Sequence, residues 1–324
     1  MLPFPVPRLG LGCAPLASME GTFGYGVSEA DAVETVRRAL ERGVTLLDTA
    51  PFYANGRSEV RVGLALRGLP RERFIISTKV GWLPDPDRIG QQGAGERSYT
   101  REAVLRSIEG SLKRLGLTYL DIAHVHDPEA GDYRAQIMDE AYPTLLDLKA
   151  QGVIRAIGAG LNQTDFLVDF ARHAPLDCAI LAGRYTLLEQ APLREAFPLA
   201  LSKGIGILAA GVFNGGILAT GARPGARYQY APAPEPILRL TRMIEQVCAK
   251  HGVALRAAAM QFAAAHPAVQ TLIIGMAQPK EVDENLADFN APIPAAFWAE
   301  LKARELIEPE APTPGGPPIA EADG

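Results

Sequence analysis

Short apolar runs recur along the chain, separated by longer stretches in which several carry apolar residues at helical spacing. The runs are Leu9–Cys13, Thr45–Asp48, Phe74–Ser77, Leu120–Ala123, Arg155–Gly158, Cys178–Leu181, Gly206–Ala209 and Thr271–Ile274. Each is short and nearly continuous in apolar residues, the pattern of a strand buried on both faces of a parallel sheet. Ala30–Arg42, Arg101–Leu115 and Ile237–His251 show the period of amphipathic helices. Eight strand–helix repeats predict an α/β fold, a closed (β/α)8 TIM barrel in a single domain with its active site at the C-terminal ends of the strands. The rival is an open doubly wound sheet, which calls for a Gly-x-Gly-x-x-Gly turn into a helix. The nearest candidate, Leu9-Gly-Leu-Gly-Cys13, lacks the third glycine.

Local signals agree. Ser28 and Thr100 stand where helix N-caps are needed, and Gly43 follows Arg42 as a helix stop. The Pro-, Gly-, Ala- and Tyr-rich segment Thr220–Pro236 is long for a connection and is expected to cover the site. Residues 1–307 read as the barrel. Residues 308–324, rich in proline and glycine, read as a disordered tail.

Composition narrows the function classes. The chain has 324 residues, 48% of them hydrophobic and 21% charged, with a formal net charge of −5. That supports one large core and gives no basic footprint for nucleic acid. No apolar stretch is long enough to span a bilayer. The N-terminal Met1–Arg8 lacks the charged-then-apolar order of a secretory signal. Three widely spaced cysteines, Cys13, Cys178 and Cys248, argue against a disulfide framework or a metal site. A reducing cytoplasm fits best.

The chemistry lies at three successive strand ends. Asp48 closes the second run, and Tyr53 follows in its loop. Lys79 closes the third and His126 the fourth. A phenol has an unperturbed pKa of about 10, too high for a base near neutrality. A nearby ammonium favours the phenolate. Lys79 is expected to supply it, Asp48 to hold Lys79, and His126 to orient the oxygen that exchanges the proton. His124 shares the strand face of His126, since alternate residues point the same way, and is expected to pack deeper.

Asp48, Tyr53, Lys79 and His126 together resemble the catalytic tetrad of the aldo-keto reductases. The resemblance covers residues 8–305 and includes Asp48-Thr-Ala-Pro-Phe-Tyr53, Ser77-Thr-Lys79, Tyr119–His126, Ile157–Asn162 and Pro279–Asn285. Leu11–Leu16, Leu181–Gln190 and Ala291–Trp298 resemble the sugar-oxidising branch, the aldose 1-dehydrogenases acting on L-fucose, L-galactose or D-threo-aldoses.

The resemblance implies a nicotinamide cofactor. Asn162 stands where the family holds the carboxamide, with Gly160-Leu-Asn162 replacing a Ser-Asn pair. Ala182 replaces an expected glutamine, and Ala210 replaces an expected stacking aromatic. Phe213 and Asn214 fall in the pyrophosphate loop, and Glu284 and Asn285 at the adenine contacts. Gly275 and Glu281 occupy positions that carry Lys and Arg in NADP-dependent members, leaving Lys280 as the basic residue of that segment. A 2′-phosphate needs positive charge, so the expected cofactor is NAD, with NADP as the alternative. Expected substrate residues are Cys13, Ala14, Phe52, Trp82, Asp127 and Arg184, an aromatic and polar set suited to a sugar.

The expected function is oxidation of the anomeric hydroxyl of an aldose to its lactone. The alternatives are a pyridoxal 4-dehydrogenase, an aldehyde or ketone reductase, and a cofactor-binding regulatory barrel like the potassium-channel β-subunits. The expected partner is a small sugar, with no nucleic acid, membrane or metal.

Overall fold

The structure, a computed structural model, describes residues 1–229 and 231–315. Eight strands close into a barrel: β1 (Leu9–Gly12), β2 (Leu46–Asp48), β3 (Ile75–Val80), β4 (Leu120–His126), β5 (Ile154–Leu161), β6 (Cys178–Ala182), β7 (Gly206–Ala210) and β8 (Val269–Gly275). Neighbours in sequence are neighbours in the sheet, every pair is parallel, and β8 pairs with β1 to close the ring. All eight predicted runs are strands, so the barrel reading holds and the open sheet fails.

The principal helices are α1 (Glu29–Glu41), α2 (Arg57–Leu66), α3 (Arg101–Leu115), α4 (Tyr142–Ala150), α5 (Thr164–His173), α6 (Ala196–Ser202), α7 (Glu235–His251), α8 (Leu255–Ala265), α9 (Pro279–Asn290) and α10 (Ala295–Ala303). The predicted caps are present: the Ser28 side chain accepts from Asp31 N and that of Thr100 from Ala103 N.

Alternation along the strands divides the core. Leu46, Ile122, Ala156, Cys178, Ile180, Leu208 and Ile273 fill the barrel interior. Leu47, Ala123, Val125, Ile157, Ala179 and Leu181 face the helices. The N-terminal Leu2, Phe4 and Val6 pack on the interior cluster, and Leu2 N donates to Gln270 Oε1 at 3.2 Å. The segment plugs the bottom of the barrel, at the N-terminal ends of the strands.

Two short hairpins decorate the barrel: Trp82–Pro84 with Gly95–Arg97 after β3, and Arg227–Tyr228 with Ala231–Pro232 after β7. The second lies in the segment expected to cover the site. Tyr228 Oη and Gln229 Nε2 both donate to Glu189 Oε1.

Packing runs past the boundary expected at Glu308. Glu308 N donates to Gln190 Oε1 at 2.8 Å, and Ala311 is fully buried. A proline-rich segment still docks where a preformed surface accepts it, and composition alone does not reveal that surface. Residues 316–324 of the expected tail lie outside the described residues. Among the described residues, no helix is long and apolar enough to cross a membrane, and all three cysteines are buried free thiols.

Candidate active site

The four strand-end residues converge at the top of the barrel. Lys79 reaches across to donate to Asp48 Oδ2 and Thr49 O, both at 2.8 Å. Ser77 Oγ donates to Asp48 Oδ1 at 2.7 Å and lies 3.0 Å from His124 Nε2. Both Asp48 oxygens are therefore engaged. The Lys79 ammonium sits 5.0 Å from the centre of the Tyr53 ring. The rings of Tyr53 and His126 meet edge to face at 5.8 Å.

The backbone holds Tyr53 in place through three successive left-handed residues, Ala54 (φ 45°), Asn55 (φ 52°) and Gly56 (φ 89°). Asparagine and glycine tolerate this region better than other residues. Asn55 Nδ2 repays the strain with hydrogen bonds to the carbonyls of Asp85 and Arg88, both at 2.8 Å. His124 packs below His126, as the sequence suggested. Gly158 makes its space: a Cβ there would stand 2.2 Å from His124 Nδ1.

Burial dominates the electrostatics and corrects one expectation. The Tyr53 phenol is pushed up by burial, opposed by Lys79, with Asp48 adding to the rise. Lys79 works in the expected direction but does not win, so the phenol stays protonated in this state. Lys79 loses water too, yet Asp48 and Tyr53 more than offset that and raise its pKa. His126 falls to about 4 through burial, with Asp127 opposing and Lys79 and Arg97 reinforcing the fall. At neutral pH the cluster is a charged Asp48–Lys79 pair beside a neutral phenol and a neutral imidazole.

A wall of aromatic and charged groups rises beside His126. Phe52 lies edge-on to Trp82 at 5.0 Å and to His126 at 5.8 Å. Arg97 pairs with Trp82 across the hairpin after β3. Its Nη1 donates to Tyr99 Oη (2.9 Å) and to the carbonyls of His126 and Asp127 (3.3 Å each). Asp127, left-handed at φ 45°, sets Oδ2 3.7 Å from His126 Nε2 and accepts from Asn162 Nδ2 at 2.9 Å through Oδ1.

The aldo/keto reductase family model matches residues 8–305. The chain belongs to the aldo/keto reductase family. It is 35% identical to a pyridoxal 4-dehydrogenase of Microbacterium luteolum, over 93% of this chain and 95% of the relative. It is also 35% identical to a D-threo-aldose 1-dehydrogenase of a Pseudomonas species, over 95% and 96%. A solved aldo-keto reductase of Bacillus halodurans, in its holo form, shares the fold with a TM-score of 0.77 at 24% identity, over 94% and 93% of the two chains.

Two expected substrate residues of this aldo/keto reductase point elsewhere. Cys13 is fully buried in the layer between barrel and helices, because alternation along β1 turns it outward. Arg184 donates through Nε to Asn162 O at 2.6 Å and pairs with Glu189 at 3.4 Å, so its charge is engaged away from the aromatic wall. Ala14 is half-buried and, like Tyr53, packs on the small cluster of Ala17, Met19 and Ala54.

The expected cofactor positions surround the adjoining rim. Asn162 stands at the end of β5, fixed by Asp127, Arg184 and Glu129, which accepts from its backbone N–H. Phe213 packs on the outer core. Asn214, Gly215 and Gly216 follow with φ of 47°, 75° and 108°. Such a run curls backbone amides around a concave site that suits an anion. Asn214 Nδ2 donates to Gly183 O at 3.1 Å, while its buried Oδ1 has no protein partner. These groups fit a dinucleotide.

The segment expected to meet the adenosine differs from expectation. Glu281, in the first turn of its helix, folds back to accept from Ala277 N just ahead of the helix, at a terminus whose dipole draws an acid. Asn285 is buried, donating to Glu281 O and accepting from Arg256 Nη2. Glu284 lies 3.7 Å from Arg256, and Asp288 lies 2.9 Å from it. Lys280 therefore is not the only base near this segment: Arg256 comes from α8, 29 residues before Asn285 in sequence and invisible to a reading of α9 alone. Its charge is already met by two acids. Gly275 is exposed at the end of β8, and a Cβ there would stand 3.0 Å from Pro15.

Proposed function

We propose that this aldo/keto reductase is an NAD-dependent aldose 1-dehydrogenase that oxidises the anomeric hydroxyl of a sugar of the L-fucose, L-galactose or D-threo-aldose type to the lactone. The observation that carries the reading is the Asp48–Lys79–Tyr53–His126 cluster opening onto a wall of Phe52, Trp82, Arg97 and Asp127. Asn162, Phe213, Asn214, Gly275, Glu281, Glu284 and Asn285 are the residues proposed to hold the dinucleotide, and a bound nicotinamide supplies the two-electron hydride acceptor. Tyr53, as the phenolate formed at alkaline pH, takes the proton of the anomeric hydroxyl during oxidation, and as the neutral phenol it gives a proton during reduction. Lys79 stabilises the phenolate against burial, and Asp48 keeps the ammonium charged and aimed. Neutral His126 orients the reacting oxygen.

NAD is favoured over NADP by charge. Gly275 offers no cation, Glu281 repels a 2′-phosphate, and Arg256 is neutralised by Glu284 and Asp288. The resemblance to a pyridoxal 4-dehydrogenase keeps pyridoxal, with its cyclic hemiacetal, as the second reading. Turnover of a panel of aldoses, pyridoxal and simple aldehydes with both cofactors decides among them. Lactone formation from an aldose with NAD⁺ supports the proposal, whereas turnover confined to pyridoxal replaces it. Glu281→Arg should raise kcat/KM for NADP⁺ relative to NAD⁺ by about tenfold or more, since charge-assisted hydrogen bonds contribute about 1.5–3 kcal/mol.

A further inference from the structure

Arg97 stands at the active site with donors to spare. It is half-buried, and its hydrogen bonds all run through Nη1 to neutral oxygens, those of Tyr99, His126 and Asp127. Among the described residues no acid pairs with it, and its Nε and Nη2 have no protein partner. Its guanidinium carbon lies 6.0 Å from the centre of the Trp82 ring, and Trp82 leads through Phe52 to His126. Its charge reaches the imidazole, since it contributes to the lowered pKa of His126. A planar fork of unpaired donors suits two adjacent oxygens on one ligand.

Asp127 stands on the same rim with the opposite capacity. Its Oδ1 accepts from Asn162, and its Oδ2, 3.7 Å from His126 Nε2, can accept from one more donor. A substrate bearing a carboxylate or phosphate would gain from Arg97 but meet Asp127. A cationic substrate would meet Arg97. A neutral compound with vicinal hydroxyls satisfies both, because each hydroxyl donates and accepts.

We propose that Arg97 is a specificity-determining residue that, with Asp127, selects neutral polyhydroxy substrates by binding hydroxyl oxygens beyond the reacting carbon. This rests on the dehydrogenase reading only for the sugar ring as the natural ligand. The recognition of neighbouring hydroxyls applies to any carbonyl compound the site reduces.

The test compares pairs of substrates that differ only in those groups. Reduction of glyceraldehyde is measured against propanal, and turnover of galactose against galacturonate, in wild type, Arg97→Gln, Arg97→Lys and Asp127→Asn. The wild type should prefer glyceraldehyde. Arg97→Gln should cut the glyceraldehyde-to-propanal ratio of kcat/KM by about tenfold to a hundredfold, mostly through KM. Arg97→Lys, which keeps charge but not the fork, should fall between. Asp127→Asn should improve galacturonate relative to galactose at least several-fold. A ratio that moves less than about twofold in both folded Arg97 variants overturns the inference, as does a wild type indifferent to the hydroxyls. If no aldose is oxidised yet Arg97→Gln collapses the glyceraldehyde ratio, the dehydrogenase reading fails and this inference stands.

Discussion

Tyr53 shows how burial sets the protonation state of a single group. Burial holds its phenol neutral, and Lys79 only partly offsets that. The residue is thus a ready acid for reduction and needs help to become a base for oxidation. Tyr53→Phe should lower kcat by 10²–10⁴, the usual worth of a general acid/base group, with cofactor affinity changed only a few-fold. Steady-state turnover and fluorescence titration of NADH check this, and activity within tenfold of wild type contradicts the role. Lys79→Met tests the electrostatic part. Without the ammonium the Tyr53 pKa climbs further, so the alkaline rise in oxidation should move to higher pH. A pH–rate profile of unchanged shape would sink the assigned tuning.

Helices and strands are tied together by buried acids outside the site. Glu59, on the first turn of α2 and fully buried, accepts from Thr78 Oγ1 on β3 and from Arg114 Nε on α3, both at 2.7 Å. Asp121 on β4 does the same for Ile76 N, Arg71 and Arg155. Removing one partner of a buried pair strands the other charge at a cost of about 3–5 kcal/mol. Glu59→Ala should therefore lose that much in urea unfolding, and a loss under about 1 kcal/mol would show that water takes over the pairing. The same elements hold Lys79 between β2 and β4, so the variant should also lower kcat. The left-handed turn after Tyr53 and the hairpin carrying Trp82 and Arg97 are joined by Asn55, which ties the aromatic wall to the Tyr53 loop.

Across the whole molecule, three buried histidines set the acid limit. Burial lowers His124 well below its ordinary value, and lowers His126 and His266 to about 4. Unfolded histidine titrates near 6.5, so between that pH and 4 the unfolded chain binds more protons. Their stabilising contribution is complete above about pH 6.5 and is lost as pH falls towards 4. At pH 5 His126 and His266 each forfeit about 2 kcal/mol by this linkage, and His124 adds in the same direction. The urea midpoint should drop steadily from pH 7 to pH 5, with a shallower drop in His266→Gln. A flat midpoint across that interval would contradict the burial of these imidazoles.

The sequence alone determined the barrel and the placing of four polar residues at successive strand ends, because both are written in local pattern. Parallel strands buried on both faces leave nearly unbroken apolar runs, and a barrel puts its chemistry where each run ends. Asp48, Tyr53, Lys79 and His126 were legible for that reason. The tertiary structure alone decided what surrounds them. Arg97 sits on a three-residue strand with no apolar periodicity, and only the fold brings it to the carbonyl of His126. Arg256 meets Glu284 and Asp288 from a different helix. Cys13 turns outward by strand alternation, whose phase no single short run reveals. Glu281 turns to its own helix terminus. The sign of the Tyr53 shift was likewise hidden, since it compares burial with one charge at a given distance, and neither quantity exists until the chain is folded.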